Sequence, residues 1–141
     1  MKHRFEYLTY GDFKEIQKLA DSLELKEDID YACDFIGAFD TDGHLNGLVG
    51  INFEKCKYPR FEHILIDKKY QKTALTIALM FESERYITEV GYTQYVAFIY
   101  RTNSIMTRYA KKFGFEFYCP GNIGDWYIKT IKERKHALVT A

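Results

Sequence analysis

Two stretches of this 141-residue chain carry side chains that could do chemistry. Glu62 and His63 stand together in the apolar run 61–66, which alternates as a strand does, and either could take a proton near neutral pH. Alternation sends them to opposite faces, so one of them can look into a cleft, and Glu62 is preferred because it falls in step with Ile64 and Ile66. The next residues, Gln71, Lys72, Thr73, Ala74, Leu75 and Thr76, lead into a long apolar helix. A helix's first turn offers N–H groups without intrahelical acceptors and the positive end of its dipole, so 71–76 is a place for a phosphate group, with Lys68, Lys69 and Lys72 close by. A metal centre is not expected: His3, His44, His63 and His136 show no ligand spacing with Cys33, Cys56 or Cys119. Neither a G-x-S-x-G nor a P-loop is present.

The elements that must position these groups follow from periodicity. Residues 4–10 alternate loosely and stop at Gly11, a strand. Asp12 can cap a helix over 13–23, and Leu25, Ile29, Ala32 and Cys33 are spaced for a short acidic helix over 24–34. Residues 35–40 and 45–53 flank Asp42-Gly43, whose glycine supplies the positive φ of a tight hairpin. After the strand 61–66, a helix from 74 to 89 is apolar nearly all round at first and charged afterwards, a pattern of burial at one end and solvation at the other. Residues 93–100, apolar on both faces, read as a central strand. Asn103 caps a helix to Phe113, Gly114 ends it, and two strands at 115–119 and 125–131 close the domain. The tail, 132–141, is expected to fray.

Composition narrows the class. Twenty basic residues balance twenty acidic ones, which does not suit a protein that coats nucleic acid. Three scattered cysteines are no disulfide framework, the N-terminus lacks a signal-peptide core, and no apolar stretch is long enough to cross a membrane, so a cytoplasmic domain is expected. Aromatic residues reach 17%, more than a small core needs. Charge is polarised: residues 1–54 carry 5 basic and 12 acidic side chains, residues 55–141 carry 15 and 8.

In order, these elements resemble the GNAT superfamily of acyl-CoA-dependent N-acetyltransferases over residues 4–131. The resemblance is carried by FEHILIDKKYQKTALTIALM (61–80), similar to the family's core strand, pyrophosphate loop and helix, and by YVAFIYRTNSIMTRYAKKFGFEFY (95–118), similar to its later strand, Asn, helix and Gly-Phe. It implies a mixed α/β single domain, a sheet of about seven strands with about four helices, and N-acetyl transfer from acetyl-CoA to an amine. The backbone of Ile64, Leu65 and Ile66 would pair with the pantetheine arm, and 71–76 would hold the pyrophosphate. Gln71 matches the first position of the family's loop, while Ala74 and Thr76 stand where glycine or another small residue belongs. Asn103 matches the Asn before the last helix. Glu62 would serve as base. The family's acid, a Tyr seven residues after that Asn, falls on Ala110, and Tyr109 is one residue early.

Those departures also suit a second reading, a non-catalytic domain of the same fold used in structure or interaction, as in phage virion components. The aromatic surface and the C-terminal tail would then mediate self-association, with a virion location. The two readings differ in one feature. A cofactor site needs an open V between 61–66 and 95–100, whereas a scaffold would fill it with side chains such as Tyr95, Phe98 or Tyr100.

Overall fold

Alternating apolar residues and one Asp-Gly turn lay down the first half of the sheet. In the computed structural model, which describes residues 2–132, β1 (Arg4–Leu8), β2 (Asp34–Phe39), β3 (Leu45–Asn52) and β4 (Arg60–Ile66) form a sequential antiparallel meander. Gly43 holds φ at 84° in the β2–β3 turn, a conformation a side chain would strain. Three further strands, β5 (Gln94–Tyr100), β6 (Glu116–Pro120) and β7 (Gly124–Thr130), complete a seven-stranded sheet in the order β1-β2-β3-β4-β5-β7-β6.

Each face carries its own core. Helix α1 (Phe13–Ser22) buries Ile16, Leu19 and Ala20 against Phe35, Leu48 and Leu65. On the opposite face, α2 (Leu75–Val90) and α3 (Ser104–Lys112) enclose Ile36, Val49, Ile51, Phe61, Tyr95 and Phe115. Gly91, at φ 115°, ends α2, and Asn103 caps α3 by accepting from the Met106 N–H at 3.1 Å.

Three expectations are corrected. The acidic segment 24–34 is not helical, so the described residues hold three α-helices rather than about four. Asp30 is the reason: its carboxylate takes the Ala32 N–H and its own N–H goes to His63, bonds that compete with a helical ladder. Asp12 does not cap α1, because its carboxylate reaches back to the Thr9 N–H at 2.8 Å and stabilises a 3-10 turn at Tyr10–Asp12. The C-terminal half of α2 is not simply solvated either. Glu84 is buried there because Lys129 Nζ and the Tyr95 hydroxyl meet its Oε2 at 2.6 and 2.5 Å. The tail assigned to 132–141 lies outside the described residues beyond Lys132.

The junction of β4 with β5 positions the site. These two strands run parallel and pair at only two places, Arg60 with Val96 and Phe61 with Ala97. Glu62 is then the extra residue of a bulge, since Phe61 faces Ile51 and His63 faces Gly50 on β3. A bulge bends its strand and raises its twist, and the rest of β4 follows β3 away from β5. Below that point the seam is tight, with the Phe61 and Tyr95 rings stacked at 4.4 Å.

Candidate functional site

From Glu62 to Ile66, β4 pairs with β3 on one side and has no strand partner on the other, while β5 turns its opposite edge to β7. One wall of the opening is therefore backbone without a ladder partner, its Ile66 carbonyl taken by the Gln71 side chain. Backbone N–H and C=O groups need partners, and an extended amide-bearing ligand supplies them as an added strand would. Of the residues assigned to this wall, Ile64 is 38% exposed, while Leu65 packs toward α1 and Ile66 toward α2. Tyr95 points into the α2 core rather than into the V, and Phe98 contacts both Tyr100 and Trp126.

At the top of β4 the chain turns into α2. Gln71 Nε2 donates to the Ile66 carbonyl at 3.0 Å and ties the turn to the strand end. Lys72 adopts φ 65°, a left-handed conformation unusual for a side-chain-bearing residue and the kind of turn for which glycine is the default. The Thr73 hydroxyl donates to the Tyr70 carbonyl at 2.5 Å and accepts from the Leu75 N–H at 3.3 Å. Ala74, at the cap position, contributes no side-chain bond to the helix; the Leu75 amide is taken by the Thr73 hydroxyl, which leaves the Thr76 amide as the first-turn donor available to an anion. Leu75 is buried in the α2 core; Gln71, Lys72, Thr73 and Ala74 are exposed.

The opposite face of the V holds a charged network. Lys55 Nζ lies 3.1 Å from both Asp30 Oδ2 and Glu62 Oε1, and Arg60 reaches Glu62 through Nε at 2.6 Å and Nη2 at 2.9 Å. His63, buried, accepts the Asp30 N–H at Nε2, 3.0 Å away. The bulge thus brings Glu62 and His63 to one network, where strict alternation would have separated them. Burial, the largest single influence on Glu62, opposes its ionisation, but the bonds from Arg60 and Lys55 outweigh it and hold the carboxyl below its usual range. Burial pushes the His63 imidazole down, so at neutral pH it is uncharged with its Nε2 lone pair already used. Neither group is a strong base in this state.

Asn103 lies at the mouth of α3 with its side chain committed to the cap, and Tyr109 sits further along with its ring 4.9 Å from Phe113. Ala110 is buried, so the helical position seven after Asn103 faces the core while Tyr109 is exposed beside Ile105 and Met106. Among the described residues the only grouping with metal-ligand proximity is Asp40, Asp42 and His44, in the β2–β3 turn, where Asp40 Oδ1 already accepts the N–H groups of Asp42 and His44. No helix among the described residues is long and apolar enough to cross a membrane.

Sequence reasoning missed the contributors on the loop and on β7. Glu27 accepts from the Tyr100 hydroxyl at 2.7 Å, Phe98 lies 5.3 Å from Tyr100 and 5.2 Å from Trp126, and the Arg60 guanidinium sits 5.2 Å over the Trp126 ring. Phe98, Tyr100 and Trp126 share a face by period-two spacing and strand pairing, but that pairing is set by tertiary structure.

No family model and no curated protein sequence matches the chain. Solved structures do. The PaiA N-acetyltransferase from Thermoplasma acidophilum, in complex with coenzyme A, is 14% identical, with 92% of this chain and 99% of that one covered at a TM-score of 0.74. An acetyltransferase of the GNAT family from Staphylococcus aureus is 11% identical, covering 93% and 100% at 0.74. With its sheet order, its parted β4 and β5 and its helix-capped turn, the chain has the fold of the GNAT N-acetyltransferases.

Proposed function

We propose that the protein is an acyl-CoA-dependent N-acetyltransferase. The observation that carries the reading is the seam that opens after two residue pairs, on the strand that leads into a helix N-terminus whose cap residue, Ala74, makes no side-chain bond. Acetyl-CoA would lie with its pantetheine amides along Ile64, Leu65 and Ile66 and its pyrophosphate at 71–76. Gln71 and Thr73 fix the turn; the Thr76 amide would be offered to the phosphates, and Lys72 would add charge. Asn103 would border the cofactor from α3.

In the reaction, the neutral acceptor nitrogen attacks the thioester carbonyl carbon. The C–N bond forms as the C–S bond breaks, the nitrogen loses a proton, and the departing thiolate gains one. A lysine-like amine has a pKa near ~10.4 and Glu62 is held well below that, so solvent takes the bulk of the proton and the rate should climb with pH. Glu62 acts chiefly by fixing Arg60 and Lys55 at the opening. Tyr109 is the proton source proposed for the thiolate.

Thermal unfolding with acetyl-CoA, CoA or ATP tests this. Ligand at about a hundred times its dissociation constant adds ~2.7 kcal/mol, an increase of roughly 5 to 15 °C in midpoint for a domain of this size. A shift with both CoA species and none with ATP is expected. No shift at millimolar CoA would overturn the reading and favour an interaction domain built on an acetyltransferase fold.

A further inference from the structure

We infer that the protein forms a twofold dimer through β1, two copies of that strand pairing antiparallel about Phe5 so that Arg4 of each copy lies opposite Glu6 of the other. Such a dimer is independent of the acetyl-transfer reading. Among the described residues the open sheet has two edges, β1 and β6. Edges are commonly blunted by proline, by bulges or by charge. Strand β6 has the first two: it ends in Pro120, which has no N–H to donate, and its register with β7 shifts between Phe117 and Cys119. Strand β1 has neither. Its five residues pair with β2 in unbroken register, and Arg4, Glu6 and Tyr7 are exposed. Helices α1 and α2 pack chiefly on β2 and β3 rather than over this edge.

What guards β1 is charge, and here charge selects a register instead of forbidding pairing. Outward N–H and C=O groups fall on alternate residues, so twofold antiparallel pairing centres on one residue. Centred on Arg4 it sets arginine against arginine, and centred on Glu6 glutamate against glutamate; like charges directly opposite destabilise a pair. Centred on Tyr7 it gives neither charge a charged partner. Centred on Phe5 it sets Arg4 against Glu6 twice, His3 against Tyr7, and one Phe5 ring against the other. Within a copy Arg4 Nε holds Glu6 Oε1 at 2.8 Å, so pairing joins two such ion pairs into one cluster of alternating sign. The α2 face repeats the match. Two clefts between β1 and α2 share Phe5: one of about 450 Å3 includes Lys2 and His3, and one of about 150 Å3 is lined by Tyr7, Glu82, Arg85 and Glu89. An axis at Phe5 brings the basic cleft of one copy to the acidic cleft of the other, with Lys2 opposite Leu8.

Analytical ultracentrifugation of the full chain tests the dimer. The parent protein should sediment as a dimer at high micromolar concentration, and added salt should loosen it. Arg4→Glu and Glu6→Arg should each weaken association roughly thirtyfold, because each exchange turns two attractive pairs about the axis into repulsive ones. An equimolar mixture of the two variants should recover the parent affinity as a heterodimer, since opposite charges then meet at both places. Recovery on mixing also shows that neither variant had lost its fold. Phe117→Glu, on the other edge, should leave the dimer intact. A monomeric parent, an unaltered dimer in either charge variant, or a mixture that associates no better than its components would each overturn the inference. A dimer broken by Phe117→Glu but not by Arg4→Glu would overturn it in favour of β6.

Discussion

The two ends of the β4–β5 seam are built from the same strands and do opposite things. At the closed end, Phe61 stacks on Tyr95, the Tyr95 hydroxyl meets Glu84, and Lys129 completes a buried triad with its Nζ 5.8 Å over the Phe115 ring. Burial and the Glu84 carboxylate drive the Tyr95 phenol's pKa up, so it stays a donor throughout the physiological range. At the open end, β4 lacks a strand partner on the β5 side, and Ala74 adds no side-chain bond at the start of α2. Satisfying polar groups gives a rigid joint; leaving them unsatisfied gives a place for a ligand. A bulge of one residue, Glu62, separates the two regimes.

The largest effect should come from breaking the closed end. Glu84→Leu strands the Lys129 ammonium in the core and should lower stability by about 3–5 kcal/mol in urea unfolding. Adding Lys129→Met should restore most of the loss, because two matched apolar side chains need no partner. Persistence of the full loss in the double variant would show that the triad is not a unit.

A smaller effect is expected where the loop meets the open end. Burial holds the folded His63 pKa below its ordinary value near 6.5, so the unfolded chain takes up the proton first. The contribution is complete above about 6.5 and is lost as pH falls through that value toward the depressed folded one. Protonation also removes the acceptor for the Asp30 N–H. Thermal midpoints should therefore fall on acidification from neutrality, and His63→Gln should flatten that slope. Asp30 and Glu62, both held below the usual carboxylate range, add their own loss only at lower pH.

The smallest effect belongs to the cap of α3. Asn103→Ala should cost about 1 kcal/mol, and Asn103→Asp, which keeps an acceptor for the Met106 N–H, much less. If Asn103 also borders the cofactor, Asn103→Ala should reduce the CoA-induced shift as well as the midpoint. An unchanged shift would confine Asn103 to capping.

The sheet and the long helices were legible in the sequence because alternation, the Asp-Gly turn and the glycines at 91 and 114 are local signals. What was illegible depends on partners distant in the chain. Glu84 reads as one more charge on a polar half-helix until Lys129 and Tyr95 are seen around it. Residues 24–34 carry apolar spacing fit for a helix, yet Asp30 finds better partners in Ala32, Lys55 and His63. The bulge at Glu62 has no glycine to announce it, and it invalidated strict alternation at the two residues where alternation was used to choose between candidate bases. The turn before α2 was legible as a helix start, but not Lys72 in a left-handed conformation.

The short β4–β5 ladder has a consequence for how the chain assembles. Strands β1 to β4 pair in sequence order, and β5, β7 and β6 pair among themselves, so each wing of the sheet closes mostly short loops. The parallel contact joins the wings only after α2 has crossed between them, and it gains just two residue pairs of ladder for a closure about as long as those of β1 with β2 and β5 with β7, which gain five and seven. Nucleation should therefore favour the wings, with their docking late and stabilised chiefly by side chains such as Phe61, Tyr95 and Glu84. The cleft is then the part of the seam that docking never zips.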